Sequence, residues 1–298
     1  MICDYEGSDY RSRFWQNADR AYEDAVERIA LKRLLPPRGR RIVELGAGFG
    51  RLAELYTGYD EIILLDYSRT LLEEAMQRWG NDPRFRFVAA DIYRLPFVDG
   101  VISAASMVRV IHHIADVPQA LKEIHRAVAP GGVFVLEFAN KRNLKSVARY
   151  ALRRQNWNPF DRQPVEFVKL NFDFHPRWML GQVQAAGFHT RRALAVSYLR
   201  AGVLKRLIPV KLMVYADALL QLTAPAGLFS PSVFTLNDRA GAADAGEGST
   251  ALSGDAIFRD PRNGSLLVGD GDALVCRSDG ARWRAQGRFY DFKEPVAS

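Results

Sequence analysis

"VELGAGFGRLAELY", residues 43–56, places Gly46, Gly48 and Gly50 at every second position, directly behind an apolar run and directly ahead of a helical pattern. Glycine weakens strands and helices alike, so this spacing marks a strand-to-helix turn at which something must approach the backbone closely. Outward from it, short apolar runs alternate with helical patterns. "RIVEL" (41–45) reads as the strand before the turn, and a helix is expected from about Arg51. "EIILLD" (61–66) reads as a second strand, followed by the helix "SRTLLEEAMQRWG" with Ser68 as its N-cap. "FRFVAAD" (85–91), "GVISAASM" (100–107) and "GVFVLEF" (132–138) are further strands, while 18–35 and 116–128 repeat apolar residues at helical spacing. After a long basic and aromatic stretch, a helix (175–188), a strand (189–199), another helical stretch (201–223) and a last strand (230–237) follow. Strand–helix alternation with near-continuous Val/Ile/Leu strands predicts an α/β fold, a doubly wound and mostly parallel sheet of seven strands covered on both faces.

Ligands of such sheets sit beyond the carboxyl ends of the strands. Glu44, Asp66 and Asp91 all lie at or near such ends. A dinucleotide fingerprint requires a third glycine at position 51, where the chain has Arg51. Three carboxylates suit a cation and repel a pyrophosphate. The glycine turn and these acids resemble the class I S-adenosylmethionine-dependent methyltransferases, particularly the type 11 group, over roughly residues 20–237. "VELGAGFG", "LLDYS", "VAADIYRLPF", "MVRVIHHIAD" and "APGGVFVLEF" correspond to that family's motifs in order. The resemblance implies S-adenosylmethionine as cofactor, a methyltransferase activity and a Rossmann-like fold. It further implies that Asp66 holds the ribose hydroxyls, Asp91 the adenine amino group and Ile92 the ring face. Glu44, Gly46, Ala47, Gly48, Gly50, Tyr67 and Met107 complete the expected cofactor contacts. The glycines let the backbone approach the methionine moiety, and the helix start beyond them is expected to face its carboxylate.

Methyl transfer from a sulfonium needs proximity and orientation, and a general base only where the acceptor arrives protonated. His112 and His175 are the candidate bases, with His113 and Asp173 as alternatives, and no metal is called for. Arg109 either meets an anionic ligand group or pairs with a neighbouring acid. Two insertions, 139–175 and 199–229, follow strand ends and are expected to form lids over the site. Their apolar and aromatic content favours a small hydrophobic acceptor. Lys141, Lys145 and Arg149 stand four apart, which reads as a solvated helix face, or as a contact for an anionic membrane or RNA. An RNA or protein methyltransferase, and a cofactor-binding partner protein without turnover, are the alternative functions.

Residues 238–254 have the composition of a flexible linker, setting 255–298 apart as a short module. It resembles the zinc ribbon of small methyltransferase-activator proteins, with Asp260, Asn263, Cys276 and Asp279 at the ligand positions. One thiolate is too few for structural zinc, so a metal-free module held by its own small core is expected, remote from the strand ends of the site. The net charge of +7 permits anionic partners without requiring them. Two distant cysteines suggest no disulfide framework, the first fifteen residues show no secretory signal, and no apolar run is long enough to span a bilayer. A cytoplasmic protein is the expectation.

Overall fold

The computed structural model describes residues 20–241 and 251–296. Cys3, the N-terminal stretch read for a secretory signal, and the middle of the linker lie outside the described residues. The chain opens with α1 (Ala21–Leu34), then β1 (Gly39–Leu45), β2 (Tyr59–Asp66), α2 (Arg69–Trp79), β3 (Phe85–Ala89), β4 (Ile102–Met107), α3 (Val117–Ala127) and β5 (Val128–Ala139). The capping residues act as their types predict: Ser68 Oγ accepts from Leu71 N–H, and Asp116 Oδ1 from Gln119 N–H. The first insertion carries α4 (Leu144–Ala151) and a hairpin of β6 (Val165–Val168) and β7 (Asn171–Asp173). After α5 (Pro176–Ala185) and β8 (Phe188–Val196), the second insertion holds α6 (Gly202–Leu207) and α7 (Val210–Leu220), separated at Pro209, before β9 (Ser232–Arg239).

The seven expected strands lie in the order β3-β2-β1-β4-β5-β9-β8, parallel except for β9. Helices cover both faces, and Ile62, Ile63, Leu64 and Leu65 are all buried, as a strand sandwiched between helices requires. The order reverses between β1 and β4, so the ligand crevice lies beyond Leu45 and Met107.

The sheet does not stop there. β10 (Leu267–Asp270), β11 (Ala273–Cys276), β12 (Arg282–Gln286) and β13 (Phe289–Val296) extend it to eleven strands. β13 pairs in parallel with β3, setting Phe289 beside Phe87 and Asp291 beside Ala89. An open parallel edge at β3 would leave a row of unpaired amides, and the tail supplies their partners. The tail core is also continuous with the main one: Phe258 packs on Phe97 at 5.9 Å between ring centres and on Tyr290 at 4.5 Å. Leu266, by contrast, is half exposed. The tail is thus physically joined to the sheet rather than hung from it, and residues 238–239 of the expected linker belong to β9.

The four ribbon positions do converge. Ligand atoms of Asp260, Cys276 and Asp279 lie within 4.8 Å of one another, and Asn263 Nδ2 is 3.7 Å from the Cys276 sulfur. A cation already stands among them: Arg262 Nη2 is 2.7 Å from Asp260 Oδ2 and 2.7 Å from Asp279 Oδ2. Trp283 Nε1–H also donates to Asp260 Oδ2, at 3.1 Å. Burial alone would raise the Asp260 carboxyl, but Arg262 and the Trp283 N–H outweigh it and hold it ionised.

Candidate cofactor and acceptor site

Gly46 and Gly48 both adopt the left-handed conformation, with φ of 72° and 54°. A Cβ on Gly46 would come within 2.2 Å of Val110 Cγ2, whereas at Gly48 the nearest atom is Leu71 Cδ1 at 3.9 Å. Gly46 is therefore a packing requirement, whereas at Gly48, itself buried, it is the left-handed backbone rather than a clash that calls for glycine. Gly46 and Ala47 N–H donate to Leu65 O at 2.8 and 3.0 Å, fastening the turn to the end of β2. Gly48 N–H donates to Asp66 Oδ2 at 2.7 Å, and Ser68 N–H to Asp66 Oδ1 at 2.9 Å, which aims the Asp66 carboxylate.

No α-helix follows. Residues 53–56 form a 3-10 turn only, so the expected helix start at Arg51 and its dipole are absent. The chain has only residues 51–58 before β2 begins, and Gly58 is pressed against Pro37, where a Cβ would lie 2.0 Å from the carbonyl oxygen. Arg51 is instead claimed by α1: its Nη2 donates to Glu27 Oε2 at 2.9 Å, and it also pairs with Asp24.

Glu44 ends up 4% exposed, and its Oε2 has no hydrogen-bond partner among the described residues. Desolvation pushes its carboxyl up to about 8, against the pull of Arg51 and Tyr56. A buried acid left without a partner is a site waiting for a positive or donating ligand group. Asp91 Oδ1 accepts from Tyr93 N–H at 2.8 Å, with Arg94 Nη2 3.6 Å from the other oxygen. Ile92 packs half-buried beside it. Met107, at the end of β4, is buried in the core.

Sequence reasoning missed the tail's approach to this end. The β3–β13 register carries Phe292 and Lys293 past the last pair to the level of Asp91. Lys293 Nζ lies 3.9 Å from the Tyr67 ring centre, and Arg69 Nε bonds Asp291 Oδ2 at 2.6 Å. A cavity of about 200 Å³ is lined by Asp91, Arg94, Arg262, Trp283, Phe292 and Lys293.

On the other side of the crevice, Arg109 (φ 61°) is fixed as the salt-bridge alternative has it. Its N–H donates to Glu137 Oε2 at 2.8 Å and its Nε to Glu27 Oε1 at 2.7 Å. Glu27 would be raised by burial, but Arg109 and Arg51 hold it below the ordinary carboxylate range. Through Glu27, α1 thus clamps the loops after β1 and β4 together. The one acid inside the apolar "FVLEF" strand, Glu137, was the signal that could have disclosed this anchor.

The candidate bases separate. His175 caps α5: its Nδ1 accepts from Arg177 N–H at 3.1 Å and the residue is 4% exposed, so that nitrogen is occupied. His112 is kept neutral, its pKa far below normal through desolvation and the neighbouring His113 and Arg109; its Nδ1 is buried without a partner among the described residues. His113 Nδ1 meets Leu170 O at 3.0 Å and ties the β6–β7 hairpin to the post-β4 loop. Asp173 on β7 differs from all three: desolvation raises its carboxyl to about 6, against Arg200 and Lys141. Lys141 itself is buried one turn ahead of α4, its Nζ donating to Gln163 O at 2.6 Å. The face expected of Lys141, Lys145 and Arg149 therefore does not exist as a threesome.

Residues 43–136 match the model of a methyltransferase domain family. The chain is 32% identical over 119 residues to a demethylmenaquinone methyltransferase of Clavibacter sepedonicus, covering 39% of this chain and 49% of the relative. It is 27% identical over 191 residues to the ubiquinone/menaquinone biosynthesis C-methyltransferase UbiE of Caulobacter vibrioides, covering 57% and 74%. The aligned stretch spans 30% to 54% of the length of four of the curated relatives it matches. Among solved structures, a chain of the complex between the Haloferax volcanii Trm112 methyltransferase activator and a methyltransferase superposes with a TM-score of 0.54 at 18% identity, covering 78% of this chain and 98% of that one. An S-adenosylmethionine-dependent methyltransferase from Mesorhizobium loti gives 0.53 at 20% identity, covering 74% and 100%. The fold is that of S-adenosylmethionine-dependent methyltransferases, and domain family and fold together imply that cofactor as methyl donor. The residues present fit it: a buried Glu44 oxygen without a partner among the described residues for a cationic ligand, and an Asp66 aimed by the Gly48 and Ser68 amides.

Proposed function

We propose that the protein transfers a methyl group from S-adenosylmethionine to a small, largely apolar acceptor of the quinone class for which its relatives are named. The observation that carries the reading is the orphaned Glu44 oxygen beside the glycine turn. When bound, the cofactor supplies an electrophilic methyl on a sulfonium. Glu44, protonated in the free protein, would release its proton to offer the compensating negative charge, while Asp66 offers two fixed acceptor oxygens, and Asp91 with Ile92 a polar edge and an apolar wall. On the acceptor side, Asp173 is the group suited to take a proton: a carboxylate titrating near 6 is ionised at neutral pH yet basic enough to act. The His112 ring, neutral and with a free Nδ1 among the described residues, serves as a hydrogen-bond acceptor that orients the substrate. The apolar lids exclude water from the reaction.

A donor-turnover screen against lipid, RNA and protein fractions, alongside calorimetry with S-adenosylhomocysteine, tests this. Binding of the homocysteine compound and turnover with the lipid fraction are expected. Turnover with RNA or protein alone would replace the acceptor class, and binding without any turnover would leave a partner protein.

A further inference from the structure

We infer that the outer face of the second lid docks on an anionic lipid bilayer, which delivers the apolar acceptor; the delivery clause rests on the reading above, the docking does not. α7 has two faces. Met213, Asp217 and Gln221, four apart, are buried against α1, where Tyr22 Oη–H donates to Asp217 Oδ2 at 2.6 Å. Leu212, Tyr215, Leu219 and Leu222 form the opposite stripe and are 62%, 69%, 57% and 51% exposed. Val203 and Leu207 of α6 add to it at 67% and 76%. So many large apolar side chains standing together in water mark a surface that meets something apolar.

Charge selects the occupant. Residues 199–229 hold Arg200, Lys205, Arg206 and Lys211 but a single acid, Asp217, which is buried. Arg206 and Lys211 are exposed at the rim of the stripe. The first insertion adds exposed Lys145, Arg149, Arg153 and Arg154 on and just after α4, its acids coming only later, from Asp161 on. The lids meet where Leu144 N–H donates to Phe229 O at 2.9 Å, and Leu144 and Leu152 are exposed beside it. A second copy of this face would set bases against bases with no acid to pair them. RNA would pair the bases but leave the apolar stripe in water. An interface of anionic headgroups over acyl chains satisfies both, and no described helix is long and apolar enough to cross the bilayer instead. The mouth of the site adjoins this face: Arg200, where the lid begins, acts electrostatically on Glu27, His112 and Asp173. An acceptor dissolved in the bilayer would thus reach Asp173 without crossing water.

Flotation of the full chain with vesicles tests it, comparing phosphatidylcholine alone with phosphatidylcholine plus phosphatidylglycerol. Wild type is expected to float with the anionic vesicles and far less with the neutral ones. Each base near the surface is worth about fivefold in partitioning, so Arg206→Glu/Lys211→Glu should cost at least tenfold, or about that, in binding. Leu212→Ser/Leu219→Ser should also release the protein from the vesicles. None of these side chains touches the cofactor crevice, so unchanged S-adenosylhomocysteine affinity certifies that the variants are folded. Absence of flotation by wild type, or equal flotation by both variants, overturns the proposal. So does a dimer in sedimentation velocity that Leu212→Ser/Leu219→Ser dissociates, since a second copy would then cover the face. Flotation without homocysteine-compound binding would sustain the docking and count against the methyltransferase reading alone.

Discussion

The ammonium of Lys293 lies 3.9 Å from the centre of the Tyr67 ring, joining the last strand of the chain to the residue that follows the β2 acid. An ammonium over an aromatic face contributes on the order of 0.5–2 kcal/mol, more as water is excluded. Lys293→Ala is therefore expected to weaken S-adenosylhomocysteine about three- to tenfold by calorimetry, by freeing Tyr67 at one wall of the crevice. Deleting 254–298 should do more, because it also strips the β3 edge and uncovers Phe97. Wild-type affinity in Lys293→Ala would mean that the tail merely borders the site.

Glu44 couples stability to pH and works against it. Its folded pKa, about 8, lies above the ordinary carboxylate value, so the folded state holds a proton that the unfolded chain releases. Its contribution is intact below the unfolded pKa and is lost as pH rises toward 8. Glu44→Gln should raise the Tm at pH 8, leave it nearly unchanged at pH 4, and weaken the cationic donor at least tenfold, or about that. A Tm at pH 8 lower than wild type would show that the charge is compensated in the free protein.

Asp173 should set the acid limb of the rate. With its carboxyl at about 6, the rate constant for methyl transfer should rise through pH 6 and level off above it. Asp173→Asn should remove that limb and slow turnover by on the order of a hundredfold, with donor affinity unchanged. His175→Gln, which disturbs only a helix cap, should preserve the profile; the opposite pattern would transfer the role to His175.

Arg262 bridges Asp260 and Asp279 in the tail. Arg262→Ala leaves Asp260 buried beside Trp283 with its charge partner gone, costing about 2 kcal/mol, or roughly 4 °C in Tm. Arg262→Lys should rescue it poorly, since a point charge cannot span two carboxylates. A Tm that falls on dialysis of wild type against a chelator would show that an ion, rather than the guanidinium, holds the four positions.

Much of the site could be read in advance because its signals are local. Gly46 and Gly48 stand two apart in the chain, and Asp66 and Asp91 follow apolar runs that announce them. The anchors were illegible because they join distant elements: Glu27 reaches Arg51 and Arg109 from a helix that reads as an ordinary amphipathic one. His175 was misleading for the opposite reason. A histidine before Pro176 satisfies both a base and a cap, and only the Arg177 N–H at 3.1 Å distinguishes them.

By itself the sequence determined the order of strands and helices, the glycine turn and the three strand-end acids, since hydrophobic period, caps and glycine spacing are written within a few residues of each other. Tertiary structure alone decided that the turn ends without an α-helix, since residues 53–56 make a 3-10 turn and β2 begins at Tyr59. It decided that the tail completes the sheet, because an unpaired β3 edge needs a partner that composition does not name. And it decided which carboxylates titrate near neutrality: the positions of Glu44 and Asp173 in the chain say nothing of their burial, and burial sets their charge.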